Sequence, residues 1–232
     1  MDRNLYHSNR RTFLVGLGAS GIVAAIPGTA HAQLGLGGNG LSSILGKATD
    51  SALDKLAKPG AFYNDRDVRI GLPIVGKRSG GLLGDILNAG SRLGLLDGIT
   101  RKINDAAGVA AGEAKPIFRD AIDGLSFSDA PGIIRESDGG TQYLRRSSND
   151  ALHAKLEPLV DGALDKAGVY EQFDGLAEKH SFVRDAGLNR ESINRSVTDQ
   201  GLDGIFAYVG NEEREFRKNP LKNLGGALGD IL

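Results

Sequence analysis

The chain has 232 residues, with 28 Lys and Arg against 29 Asp and Glu, so its formal net charge at pH 7 is -1. This balance gives no electrostatic drive toward the phosphates of a nucleic acid, and we expect no nucleic-acid partner. The sequence contains no cysteine, which excludes disulfides, iron–sulfur clusters and cysteine-attached haem. Zinc and copper sites lose most of their usual ligands as well, so we expect no metal and no cofactor.

The first 32 residues follow the order of an export signal peptide. A basic stretch from Arg3 precedes a modestly apolar core between Thr12 and Ile26, and the small residues Ala30 and Ala32 form an A-x-A cleavage motif. The core is shorter than the ~20 residues that span a bilayer. We therefore expect cleavage after Ala32 and a periplasmic mature chain without a transmembrane span.

Residues 9–15, NRRTFLV, resemble the recognition motif of the twin-arginine export route. In that motif a hydroxyl residue, two arginines, any residue, Phe, Leu and Lys follow one another. The resemblance implies that the signal is recognised through Arg10, Arg11, Phe13 and Leu14.

The mature chain begins with a Gly- and Leu-rich stretch, and we predict a flexible lead over residues 33–46. Apolar residues then recur at intervals of three and four from Leu41 to Leu56, which predicts a helix packed on one side. Pro59 and Gly60 end this helix. The alternation of apolar and other residues around Val68 predicts a short extended segment near residues 66–73.

Helical periodicity returns at residues 82–87 and again from Ile99 to Ala114. The second stripe is made of small residues, which predicts close approach of another helix. Pro116 either kinks this helix or begins a new one that extends to Leu125. A short helical turn is expected at Ile133 and Ile134.

Asp138, Gly139 and Gly140 are predicted to break the chain. A long helix is then expected from Thr141 to Ala167, with an interruption at Ser147 and a bend at Pro158. Two further amphipathic helices are predicted over residues 169–179 and 191–218. These patterns together predict an all-α, single-domain helical bundle over residues 47–218.

Residues 219–232 form an amphipathic C-terminal tail after Pro220. Their apolar residues fall on one face at helical spacing: Leu221, Leu224, Leu228, Ile231 and Leu232. Such a face must find a surface, either on the protein's own bundle or on a partner.

Several charged residues have two possible roles. The pairs Arg146–Asp150 and Glu213–Arg217 have i,i+4 spacing, which favours ion pairing along or between helices. In the alternative, carboxylates converge on a pocket as acids with an arginine clamp for an anion. The residues of that alternative are Asp199, Asp203 and Glu113, with Arg146 or Arg145 as the clamp. His153 and His180 lie in polar helical context and are expected to face solvent.

Four stretches resemble the recurring blocks of the DUF4197 family, exported bacterial proteins of unknown function. They are VRIGLP, EAKPIFRDAI, TQYLRRSS and TDQGLDGIFAYVGNEEREFRKNPL. The resemblance extends from about Ser42 to Leu221 and implies a helical periplasmic domain without an assigned activity.

Two functions remain open at this point. The favoured one is a non-catalytic binding module at the cell envelope, whose partner is a protein, an envelope surface or an apolar ligand. The other is a cofactor-independent hydrolase or lyase that uses the carboxylates and the arginine clamp.

Overall fold

The computed structural model describes residues 38–72, 95–126, 133, 135–179 and 188–219, which belong to one compact unit. In these ranges the main elements are helices and no strand occurs, which confirms the predicted all-α fold. They are α1 (Gly38–Leu56), α2 (Ala61–Asn64), α3 (Leu95–Glu113), α4 (Lys115–Asp123), α5 (Gly139–Lys166), α6 (Val169–Lys179) and α7 (Arg190–Lys218).

The core forms around α7, which packs against α1 on one side and α5 on another. Helices α5 and α7 are antiparallel, because Thr141 at the start of α5 contacts Glu213 near the end of α7, while Asp161 contacts Arg190. The buried positions of α7 recur at helical spacing, with Val197 and Val209 fully buried. No described helix is long and apolar enough to cross a membrane.

Helix α1 begins earlier than the sequence predicted. It starts at Gly38, inside the segment assigned to a flexible lead, and Leu41 and Leu45 are fully buried. A glycine in a helix costs about 1 kcal/mol relative to alanine, whereas burying a leucine side chain contributes about 1.5–3 kcal/mol. Tertiary packing therefore outweighs the weak local propensity, and the helical domain starts before residue 47.

The small residues of α3 allow close contact with the end of α1, as their pattern predicted. A Cβ added at Gly108 would lie 3.3 Å from the carbonyl oxygen of Leu56, and one at Gly112 would lie 3.4 Å from Cβ of Ala57. Helix α1 stops at Leu56, before Gly60, whose φ of 75° lies in the left-handed region. Glycine adopts this conformation without the steric cost that other residues incur.

Pro116 lies in the first turn of the separate helix α4 and does not kink α3. The proline ring fits there because the first amides of a helix have no partner within the helix. Phe118 and Ile122 bury the apolar face of α4.

Helix α5 differs from its prediction at two places. It begins at Gly139, so the glycines expected to break the chain form its first turn, and it continues through Ser147 without interruption. Pro158 lies inside the helix. A Cβ at Gly139 would lie 2.0 Å from the carbonyl oxygen of Ile133, so the glycine is required by close backbone approach.

The segment predicted to be extended forms a turn at residues 66–68 and has no regular structure from 69 to 72. The predicted alternation of apolar and other residues is matched by alternating burial, since Val68 and Ile70 are buried while Arg69 is exposed. Residues 82–87, Ile134, His180 and the tail from Pro220 onward lie outside the described residues. So do the export-signal residues Arg10, Arg11, Phe13, Leu14, Ala30 and Ala32.

Candidate functional site

The residues proposed as catalytic lie mainly along the contact between α5 and α7. Asp199 and Asp203 are one helical turn apart on α7 and therefore lie on the same face. Each faces a different residue of the antiparallel helix α5: Asp199 faces His153 and Asp203 faces Arg145. We call these four residues the polar seam.

The two contacts of the polar seam differ in kind. Arg145 donates a hydrogen bond to Asp203 in an exposed ion pair, and its guanidinium carbon lies 5.3 Å from the ring centroid of Phe206. Nε2 of His153 lies 3.1 Å from Oδ1 of Asp199. Nε2 of His153 is buried and has no hydrogen-bond partner in the part of the chain that the structure describes. The distance is within the range of an ion pair, but the contact does not meet the geometry of a hydrogen bond.

The other two members of the catalytic alternative lie apart from this contact. Glu113 is the exposed last residue of α3, and Arg146 is exposed on α5. No ion pair or hydrogen bond among the described residues joins either of them to Asp199 or Asp203. The predicted pair Arg146–Asp150 is not formed, whereas the predicted pair Glu213–Arg217 is present at 2.5 Å.

A small apolar cavity lies between α2, α3, α5 and α7. Its volume is about 20 Å³, and it is lined by alanines of α3 together with Leu156, Val160 and Val197. The hydroxyl-bearing residue in the lining is Thr198. A cavity of this volume accommodates about one water molecule. None of Asp199, Asp203, Glu113 and Arg146 lines it.

The most buried charge in the described part of the chain is Glu213, which the sequence identified as paired but not as buried. The residue is fully buried, and its carboxylate accepts hydrogen bonds from the amides of Gly140 and Thr141 at 3.0 and 2.7 Å. It also accepts one from the Thr141 hydroxyl at 2.6 Å. A carboxylate at a helix N-terminus satisfies amides that have no partner within the helix. Glu213 therefore caps α5 from a different helix.

Gly140, the second residue of α5, makes this cap possible. A Cβ at Gly140 would lie 2.7 Å from Oε1 of Glu213, so a larger residue would displace the carboxylate. The sequence does contain a signal for this site, because Glu213 follows Val209 by four residues on the buried face of α7. A carboxylate on a buried helical face indicates a partner that is not visible in the local sequence.

Two side-chain amides hold the backbone of residues 70 and 71. Asn104 accepts a hydrogen bond from the Ile70 amide at 2.8 Å and donates one to the Ile70 carbonyl at 2.9 Å. Gln200 accepts one from the Gly71 amide at 2.9 Å. These contacts replace the backbone partners that a neighbouring strand would supply.

Three tyrosines, Tyr63, Tyr170 and Tyr208, donate hydrogen bonds to aspartates on other segments. Most groups whose pKa is shifted belong to these pairs. Tyr208 contacts Asp65 at 2.6 Å; burial, and then this bond, raises the pKa of Tyr208 to about 12. The same bond lowers the pKa of Asp65.

Tyr170 contacts Asp161 at 2.8 Å, and burial is the main cause that raises the pKa of this tyrosine. Hydrogen bonds from Arg190, at 3.0 and 2.8 Å, are the main cause that lowers the pKa of Asp161. The Tyr208–Asp65 pair and the cluster of Tyr170, Asp161 and Arg190 share no residue. In the described ranges no group of three or more His, Asp or Glu side chains is placed to hold a metal ion.

A protein-family model described as "Protein of unknown function (DUF4197)" matches residues 36–230 of the chain. The match confirms the resemblance that the four sequence blocks indicated. No curated protein and no solved structure matches the chain.

Proposed function

The chain belongs to the DUF4197 family, whose function is unknown, and we propose from its own residues that it is a non-catalytic interaction module that is exported and acts at the cell envelope. The observation that carries this proposal is the pairing of Asp199 and Asp203 with different residues of α5. Carboxylates that act as acid and base must reach one reacting group. Here the charges join two helices, which favours a structural role for them.

The proposed location is supported by the N-terminal sequence. A basic segment with two arginines, an apolar core and an A-x-A motif is the order that export machinery recognises. The proposed interaction is supported by the tail of residues 219–232, whose apolar face requires a surface.

The competing function is a cofactor-independent hydrolase or lyase. It requires Glu113 and Arg146 to come within reach of the two aspartates, and the described contacts do not join them. Glu113 ends α3, while Arg146 is exposed on α5.

The two functions are separated by one set of variants in the full chain. We expect the Asp199→Asn/Asp203→Asn double variant to be retained in the envelope fraction as strongly as the wild type. The purified wild type is assayed in parallel on ester, amide and phosphoester model substrates. Turnover that the double variant loses would contradict the proposal and favour the enzyme.

The export step has its own test. The double replacement Arg10→Lys/Arg11→Lys should abolish the periplasmic pool, because a lysine does not reproduce the planar guanidinium fork. Undiminished export of that variant would exclude the twin-arginine route.

A further inference from the structure

A partly exposed aromatic side chain on α2, Tyr63, contacts two arginines from different segments. The guanidinium carbon of Arg69 lies 4.5 Å from the ring centroid of Tyr63, and that of Arg101 lies 4.2 Å from the same centroid. The two positive charges are therefore no further apart than the sum of these distances. Both distances are within the range of a cation–π interaction, which holds a guanidinium over the ring while its terminal N–H donors stay accessible.

Both arginines lack a carboxylate partner in the described part of the chain. Arg69 donates Nε–H to the carbonyl of Tyr63, and its terminal nitrogens make no ion pair. The nearby carboxylates Asp97 and Asp65 accept hydrogen bonds from Tyr63 and Tyr208 respectively. Asp67 and Asp105 are exposed and form no ion pair with either guanidinium. Two like charges held close together without an ion-pair partner repel each other, and a bound anion would offset that repulsion.

The backbone at this cluster is held in place on both sides. Arg69 lies between the buried residues Val68 and Ile70, and the Asn104 amide binds the backbone of Ile70. Arg101 lies on α3 one turn before Asn104, so a single helix positions one guanidinium and anchors the segment that carries the other. Preorganised donors lose less conformational entropy when a ligand binds.

We propose that Tyr63, Arg69 and Arg101 form a binding site for a phosphate group. A guanidinium fork donates two parallel N–H bonds to adjacent oxygens. A carboxylate has only two oxygens, in one plane, whereas a phosphate presents more oxygens, in several directions, and can accept from two guanidinium groups at once. The phosphate is carried either by a lipid headgroup or by a soluble molecule. This site is independent of the proposed location and of the C-terminal tail.

The test uses the full chain, inorganic phosphate as the probe, and calorimetry together with the Nε–H resonances of isotope-labelled arginines. Phosphate should bind saturably and shift the resonances of Arg69 and Arg101. The Arg69→Gln/Arg101→Gln double variant should weaken binding by about tenfold to a hundredfold, which is the loss expected for charge-assisted hydrogen bonds. Circular dichroism verifies that the variant is folded.

The matched control is the double variant Arg66→Gln/Arg135→Gln, which removes two exposed arginines that form no ion pair among the described residues. It should keep the wild-type affinity. Equal loss in both double variants, or shifts spread evenly over all arginines, would show general charge screening and overturn the site.

Vesicles distinguish the two sources of the phosphate. A lipid headgroup is indicated if the wild-type protein sediments with phosphatidylglycerol vesicles but not with phosphatidylcholine vesicles. The Arg69/Arg101 double variant should then sediment with neither. Binding of inorganic phosphate without vesicle binding indicates a soluble phosphorylated molecule. Binding of neither probe would overturn the proposal, while leaving retention in the envelope open to its own test.

Discussion

Removing the buried carboxylate of Glu213 should cause a large loss of stability. Replacement by alanine leaves the amides of Gly140 and Thr141 without their acceptor and removes the ion pair between Glu213 and Arg217, whose side chain is 15% exposed. Removing one member of a buried ion pair costs about 3–5 kcal/mol. Domains are stabilised by only about 5–15 kcal/mol, so Glu213→Ala should remove a substantial fraction of the free energy of unfolding.

The assay is urea unfolding followed by far-ultraviolet circular dichroism. Glu213→Gln keeps the shape but has only one oxygen to accept hydrogen bonds, so it should cost about 1.5–3 kcal/mol. The matched control is Glu215→Gln on the same helix, where the side chain is 65% exposed and pairs with Lys218. That variant should change stability by less than about 1 kcal/mol. If Glu213→Ala costs no more than the control, the buried cap is refuted.

Gly140 provides an independent check of the same contact. Gly140→Ala places a Cβ 2.7 Å from Oε1 of Glu213, and such overpacking costs about 1–3 kcal/mol. In the Glu213→Ala background the carboxylate is gone, so the same change should cost much less. Additive effects of the two replacements would contradict the close approach, because residues in contact show coupling.

The remaining predictions concern the buried side chain of Asn104, the pair of Tyr208 and Asp65, and folding without a metal. Asn104→Ala should lower the free energy of unfolding by about 1–3 kcal/mol, because it leaves the Ile70 amide unpaired. The control Asn149→Ala, at a partly exposed position, should have little effect. Equal losses of the two variants in urea unfolding would contradict the role of Asn104. Because the pKa of Tyr208 is raised to about 12 from 10.0, its contribution is complete below pH 10 and is lost as pH rises through about 12. Asp65, whose pKa is lowered from 3.8, contributes above its unfolded pKa and loses that contribution as pH falls through its folded value. The stability difference between wild type and Tyr208→Phe should therefore shrink at both extremes, and a difference that does not vary with pH would contradict the pair. Thermal unfolding should not respond to chelators, and a large fall in the midpoint after chelation would reveal a structural metal.

The periodic stripes of the helices were predictable because burial acts on every turn. Ile99 and Ile103 on α3 and Val197 on α7 follow the spacing of a one-sided helix, and all are buried. The position of Pro116 was left open, since a proline is compatible with a kink or with a first turn. Contacts across the bundle decided between the two.

The cap on α5 could not be derived from local sequence. Glu213 and Gly140 are 73 positions apart, so neither shows its role without the packing of α7 on α5. The same limit applies to Asp199 and Asp203, whose spacing places them on one face but does not identify what faces them. For the same reason, the two glycines predicted to break the chain begin a helix instead: Gly139 is approached by the carbonyl of Ile133, and Gly140 by Glu213 of α7.

The most direct test of an interaction module at the envelope is truncation after Asn219 in the full chain. The measurement is the fraction of protein retained with the envelope, taken together with the thermal midpoint of the purified proteins. Lys222→Gln within the tail is the matched control, because it leaves the apolar face intact. We predict that truncation lowers retention while the midpoint is unchanged, and that the control behaves as the wild type. Unchanged retention, or a fall in the midpoint that accounts for the loss, would contradict the proposed role.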